Sequence, residues 1–158
     1  MHAGLTSPAR RTDESIVQLQ QVIEMDLNFN IAHLFLAQAY QQKGMFAEAI
    51  SEIQATKGLP EYRNIGFLGH AFAVASRKRE ARRVLARLHE ISTERYVHPY
   101  MVALIYAGLG ENDQAFDWLE RAYSDRFWMM AFLKVDPRLD PLRQDPRFSD
   151  LLSRMGFK

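Results

Sequence analysis

Five histidines are the first side chains to weigh for chemistry, because imidazole serves as base, proton carrier and metal ligand near neutral pH. They are His2, His33, His70, His89 and His98. No two of them stand in an HExxH or other ligand spacing on one helical face, so no metal site is expected. His33 falls on the packing face of its segment and reads as a buried structural residue, while His2 lies in a flexible start. His89 closes a helix, where a cation suits the C-terminal carbonyls, and His98 precedes Pro99 in a turn. The absence of cysteine removes thiol nucleophiles, cysteine zinc sites and disulfides, and fits a reducing compartment. No phosphate loop or nucleophile elbow is present, and Gly66-Phe67-Leu68-Gly69 reads as helix. The expectation is a chain that is not an enzyme and has no catalytic residue, cofactor or metal.

Charge is patterned more than it is abundant. The formal net charge is +1, from 20 Lys and Arg against 19 Asp and Glu, so nothing overall draws the chain to nucleic acid or an anionic membrane. Locally the picture differs: residues 76–90 hold six Lys or Arg and two Glu, and residues 111–125 hold five acids and Arg121. The basic stretch lacks aromatic interleaving and reads as a solvated face, so nucleic acid is not an expected partner. Opposite charge on the two stretches allows self-association as a second option. Toward the C-terminus, Asp136-Pro137, Asp140-Pro141 and Asp145-Pro146 are interleaved with Arg138, Arg143 and Arg147, which favours local ion pairs and helix caps over calcium.

The elements that carry these residues are helical. Apolar residues recur at three and four rather than two, no Asn-Gly or Asp-Gly hairpin turn occurs, and the length of 158 residues with 47% hydrophobic content suits a folded domain. The longest apolar stretches, 100–109 and 127–133, are far shorter than the roughly 20 residues a membrane span needs. With no apolar export signal at the start, a soluble cytoplasmic product with no membrane partner is expected.

The chain also repeats itself. Ser15, Ala49, Ala81 and Ala115 are equivalent at steps of 34, 32 and 34 residues, with Leu19, Ile53, Leu85 and Leu119 in register after them. On the preceding helix, His33, Ala37 and Tyr40 match Ile65, Gly69 and Phe72, then Pro99, Ala103 and Tyr106. A period in the thirties describes a two-helix unit that buries its apolar face only by stacking on a neighbour. Small residues at 37, 69 and 103 let helices approach, the aromatic side chains beside them fill space, and Gly44, Ser76 and Gly110 occupy the turns.

This pattern, Leu36-Ala37, Tyr40, Gly44, Phe46, Ala49-Ile50 and Ile53, with Ala103, Tyr106, Gly110, Ala115 and Leu119, resembles the tetratricopeptide repeat. The resemblance implies an all-α fold, a right-handed superhelical stack of antiparallel helix pairs with a C-terminal capping helix. A flexible N-terminus (1–12) would precede repeats over 13–126: a half unit (13–27) and full units at 28–60, 61–93 and 95–126. Residues 127–158 would cap the stack, with a short apolar helix over 127–134, a turn-rich connector, and a last helix from Pro146 to about Met155. The wording of that tail is similar to the C-terminal tetratricopeptide regions of bacterial signalling and transcription regulators.

In that family the first helices of successive units line a concave groove, and here that face carries Leu34, Phe35, Gln38, Gln42, Arg63, Phe67, His70, Tyr100, Met101 and Leu104. Only Arg63 offers the charge that a terminal carboxylate would need, and the face is otherwise apolar. The resemblance therefore implies a non-catalytic interaction module whose partner is another protein or peptide, presented as an apolar or helical segment. Two alternatives stay open: a self-associating regulatory segment of a larger bacterial protein, and a groove covered by the chain's own 127–133 segment.

Overall fold

The computed structural model describes residues 8–157; the flexible start expected through residue 7, with His2, lies outside the described residues. The helices are α1 (Pro8–Met25), α2 (Asn30–Gln42), α3 (Phe46–Ala55), α4 (Glu61–Val74), α5 (Lys78–Ser92), α6 (Pro99–Leu109), α7 (Asn112–Ser124) and α8 (Pro146–Arg154). Two 3₁₀ segments, Trp128–Phe132 and Pro137–Leu142, precede α8, and no strand occurs among the described residues. The chain is all-α, and among the described residues no helix is long and apolar enough to cross a membrane. Residues 8–12, expected to be flexible, belong to α1: proline has no N–H to give, and the first turn of a helix asks for none.

Three helix pairs, α2–α3, α4–α5 and α6–α7, share one turn. Met45 N–H donates to the Tyr40 carbonyl at 2.9 Å, Arg77 N–H to Phe72 at 2.8 Å, and Glu111 N–H to Tyr106 at 2.9 Å. This Schellman closure needs a left-handed residue just before the donor, and Gly44, Ser76 and Gly110 supply it at φ 73°, 61° and 77°. A side-chain cap is absent at the start of α3, α5 and α7, so the turn itself sets where each helix begins. Four residues on, Ala49, Ala81 and Ala115 are each 0% exposed, and their N–H groups close the first turn onto Met45, Arg77 and Glu111. The recurring alanine marks the place where the second helix of each pair meets the core.

Two compact units divide the chain after Asn64, within the first turn of α4. In the first unit α1 packs on α2 and α2 on α3, burying Ile16, Leu36, Ala37, Tyr40, Ile50 and Ile53. Polar ties fix the loops: Asn30 Nδ2 donates to the Lys57 carbonyl at 2.6 Å, and Lys57 N–H returns a bond to Asn30 Oδ1 at 2.9 Å. An ion pair joins Lys43 to Asp13.

In the second unit α6 is the hub. Pro99, Tyr100, Met101, Val102, Ala103, Leu104, Ile105 and Ala107 are all buried, which is why this helix is apolar on every side rather than along one stripe. Gly69 lets α4 and α5 close in: a Cβ there would stand 2.6 Å from Ile105 Cδ1 and 2.7 Å from Val84 Cγ1. The tail departs from expectation in form. The short helix predicted over 127–134 is a 3₁₀ segment, and the connector, expected to be irregular, carries a second one from Pro137. Asp136 before Pro137 is extended, and Pro141, inside the second segment, has no N–H for an α-helical bond. The last helix starts at Pro146 with Asp145 Oδ1 accepting from Arg147 N–H at 3.0 Å, and Gly156 follows it at φ 84°.

Candidate partner-binding surface

The ten residues expected to line a groove fall in both units and have different fates. On α2, Phe35 is 56% exposed, Leu34 and Gln38 are half-buried and Gln42 is exposed; Arg63 is half-buried at the start of α4. Ile31, one turn before Phe35, is 55% exposed, so α2 presents two large apolar side chains to water on one face. The loop before it adds Leu27 and Phe29, also exposed. Leu27 and Phe29 lie in the α1–α2 connection, outside the repeat pattern, and their exposure was not legible from periodicity.

The second-unit residues are covered, as in the alternative of a groove filled by the chain itself. Tyr100 is 0%, Leu104 1%, Met101 2% and His70 4% exposed, and Phe67 is half-buried. Met101 lies against Gly66 of α4 and His70 against Gly108 of α6, while Phe127, Met130, Leu133, Leu139 and Leu142 of the chain's own tail share one core with Tyr100 and Leu104. Burial of large apolar side chains by a tethered segment is worth roughly 1.5–3 kcal/mol each, enough to hold the tail in place.

A polar clamp sits inside this core. The Tyr100 hydroxyl donates to Asp136 Oδ2 at 2.8 Å, and Arg138 donates through Nε to Asp136 Oδ1 at 2.9 Å and through Nη2 to Oδ2 at 2.8 Å. The Arg138 backbone N–H adds a bond at 3.0 Å, and the guanidinium lies 5.9 Å from the Phe67 ring centre. Burial alone would raise the Asp136 carboxyl, but the hydrogen bonds and charge of Arg138, with the Tyr100 hydroxyl, hold it below its ordinary value. Burial and the neighbouring carboxylate push Tyr100 strongly up. His70 is lowered to about 3, first by burial and then by the Arg138 charge, against an opposing pull from Asp136. It is therefore neutral near pH 7.

His33 is buried, as its place on the packing face implied. Its Nδ1 lies 2.6 Å from Glu52 Oε2 and its Nε2 3.1 Å from the Leu27 carbonyl, so both ring nitrogens face acceptors and the ring ties α2 to α3 and to the preceding loop. Several members of the charged stretches pair within the chain. Arg77 pairs with Glu80, Arg82 with Glu111, and Arg87 with Glu90. From α7, Asp113 meets Arg147 at 2.8 Å, Glu120 meets Arg154, and Tyr96 donates to Asp125 at 2.6 Å. The tail arginines pair with the preceding aspartates in all three Asp-Pro motifs. Among the described residues no three His, Asp or Glu side chains gather as a metal site. A pocket of about 330 Å³ lies elsewhere in the second unit, against Leu85, His89, Tyr106 and Trp118.

The fold and surface define a helical protein of paired helices with one apolar helix face open to water and another covered by its own tail. No protein-family model, curated protein or solved structure matches the chain.

Proposed function

We propose that the chain is a non-catalytic protein-interaction module, a tetratricopeptide-like solenoid that binds an apolar or helical partner segment on α2. One observation carries the reading. Leu34 and Phe35 hold the same repeat positions as Tyr100 and Met101, which are buried in the second unit among α4 and the tail, whereas on α2 Phe35 and Ile31 are more than half exposed. A surface that takes an apolar segment within the chain at one repeat is a reasonable seat for a partner's segment at another. The buried positions drop out of the contact set, which becomes Ile31, Leu34, Phe35, Gln38 and Gln42.

The test is selection of displayed helical peptides on the full chain. The expected binders carry apolar residues at helical spacing and lose binding to the Ile31→Glu plus Phe35→Glu variant, whose circular dichroism stays unchanged. A selection that yields no binder, or binders indifferent to the substitutions, overturns the reading. Self-association is the second reading, favoured by exposed Trp128, Phe132 and Val135 in the tail. Light scattering that gives the mass of one chain over a wide concentration range removes it.

A further inference from the structure

The tail segment 127–142 has the properties of a bound peptide more than those of a structural cap. It has no α-helix, only two short 3₁₀ stretches and turn bonds such as Asp136 N–H to the Phe132 carbonyl, a local framework too short to hold its shape without docking. Its inner side supplies apolar anchors, Leu133, Leu139 and Leu142, each 0% exposed. A cap is expected to show a polar outer face, yet here Trp128, Phe132 and Val135 are 61%, 49% and 68% exposed.

The segment is also tethered independently at both ends. Before it, α7 ends in a turn where Arg126 holds φ 51°, a conformation that costs a non-glycine residue energy. After it, α8 has its own attachment to α7 through Arg147–Asp113, Arg154–Glu120 and the Tyr123 hydroxyl donating to the Arg154 carbonyl at 3.3 Å. Both ends of residues 127–142 are thus tied to α7, while Phe148 and Leu151 of α8 share the core that the segment enters.

We infer that the face of α4 and α6 carrying Phe67, Tyr100 and Leu104 is a segment-binding surface that the chain keeps occupied with its own residues 127–142. The outside partner it fits is an apolar segment containing an Asp-x-Arg turn, the chemistry of Asp136 and Arg138 against the Tyr100 hydroxyl and the Phe67 ring. This deepens the interaction-module reading but concerns a different face from α2. The tether presents the resident segment at an effective concentration of about millimolar, so an outside peptide competes only when the resident clamp is weakened.

The experiment measures binding of a fluorescein-labelled synthetic peptide of residues 127–142 to the full chain by anisotropy. The Asp136→Ala chain is expected to bind the peptide at least tenfold tighter than the wild-type chain, and a peptide carrying the same substitution is expected to bind at least tenfold more weakly. Adding Phe35→Glu to the chain leaves this binding unchanged, which separates it from the α2 reading. Should Asp136→Ala fail to fold, Asp136→Asn keeps the side-chain shape, weakens the tail's own bonds to Tyr100 and Arg138, and carries the same comparison. Equal binding by wild-type and clamp-weakened chains, or equal binding of both peptides, overturns the proposal.

Discussion

The Tyr100 hydroxyl donates a 2.8 Å hydrogen bond to Asp136, 36 residues later in the chain, at a point where both side chains are buried. It joins α6, buried on every side, to the cap of the second 3₁₀ segment of the tail. Phe at position 100 keeps the ring packing and loses one bond to a charged acceptor, a cost of about 1.5–3 kcal/mol. Ala at position 136 also strands Arg138, whose side chain is 14% exposed, and is expected to cost about 3–5 kcal/mol. Urea denaturation of the two variants checks the order; equal losses would show that Arg138 does not depend on Asp136.

The same clamp gives an acid dependence. Asp136 is held below its ordinary value in the folded state, so its contribution is complete above the unfolded value of 3.8 and is lost as pH falls through the folded one. His70 adds a second window with the same direction. Its folded value is about 3 against 6.5 unfolded, so below pH 6.5 the unfolded chain takes up the proton and stability drops. Between pH 6.5 and 5 this amounts to about 2 kcal/mol. The difference in stability between wild type and His70→Gln, measured at both pH values, is expected to change by about that amount; no change means that His70 is charged or exposed in the fold.

Ser76 and Arg126 take the left-handed turn conformation that Gly44 and Gly110 take elsewhere. That conformation costs a residue with a Cβ about 1–2 kcal/mol, while glycine loses about 0.5–1 kcal/mol more backbone entropy on folding. The strain term is larger. Ser76→Gly and Arg126→Gly are each expected to stabilise the chain by up to about 1 kcal/mol in thermal unfolding, and Gly44→Ala to destabilise it by a similar amount.

Gly69 occupies the small-residue position that Ala fills at 37 and 103. Alanine there would push on Ile105 Cδ1 and Val84 Cγ1 at under 3 Å, an overpacking cost of about 1–3 kcal/mol. Ile105→Val removes the nearer methyl, so the double variant is expected to lose less than the sum of the two single losses. Strict additivity in a double-mutant cycle would contradict the contact.

Local signals were legible where a residue's role is set by its neighbours in sequence. The 34, 32 and 34 residue steps located three helix pairs, because each pair repeats one Schellman turn and one buried alanine. Asp145 before Pro146 announced the last helix, since capping is a matter of two residues. The apolar character of α6 was equally plain, but not its meaning: Tyr100, Met101 and Leu104 look the same in sequence whether they await a partner or lie under the tail. Only the tertiary structure decides that, because burial depends on what the chain brings back from a distance. Asp136 reaches Tyr100 and Arg138 reaches Phe67 across contacts that no periodicity encodes, while Phe35 on α2 stays more than half exposed.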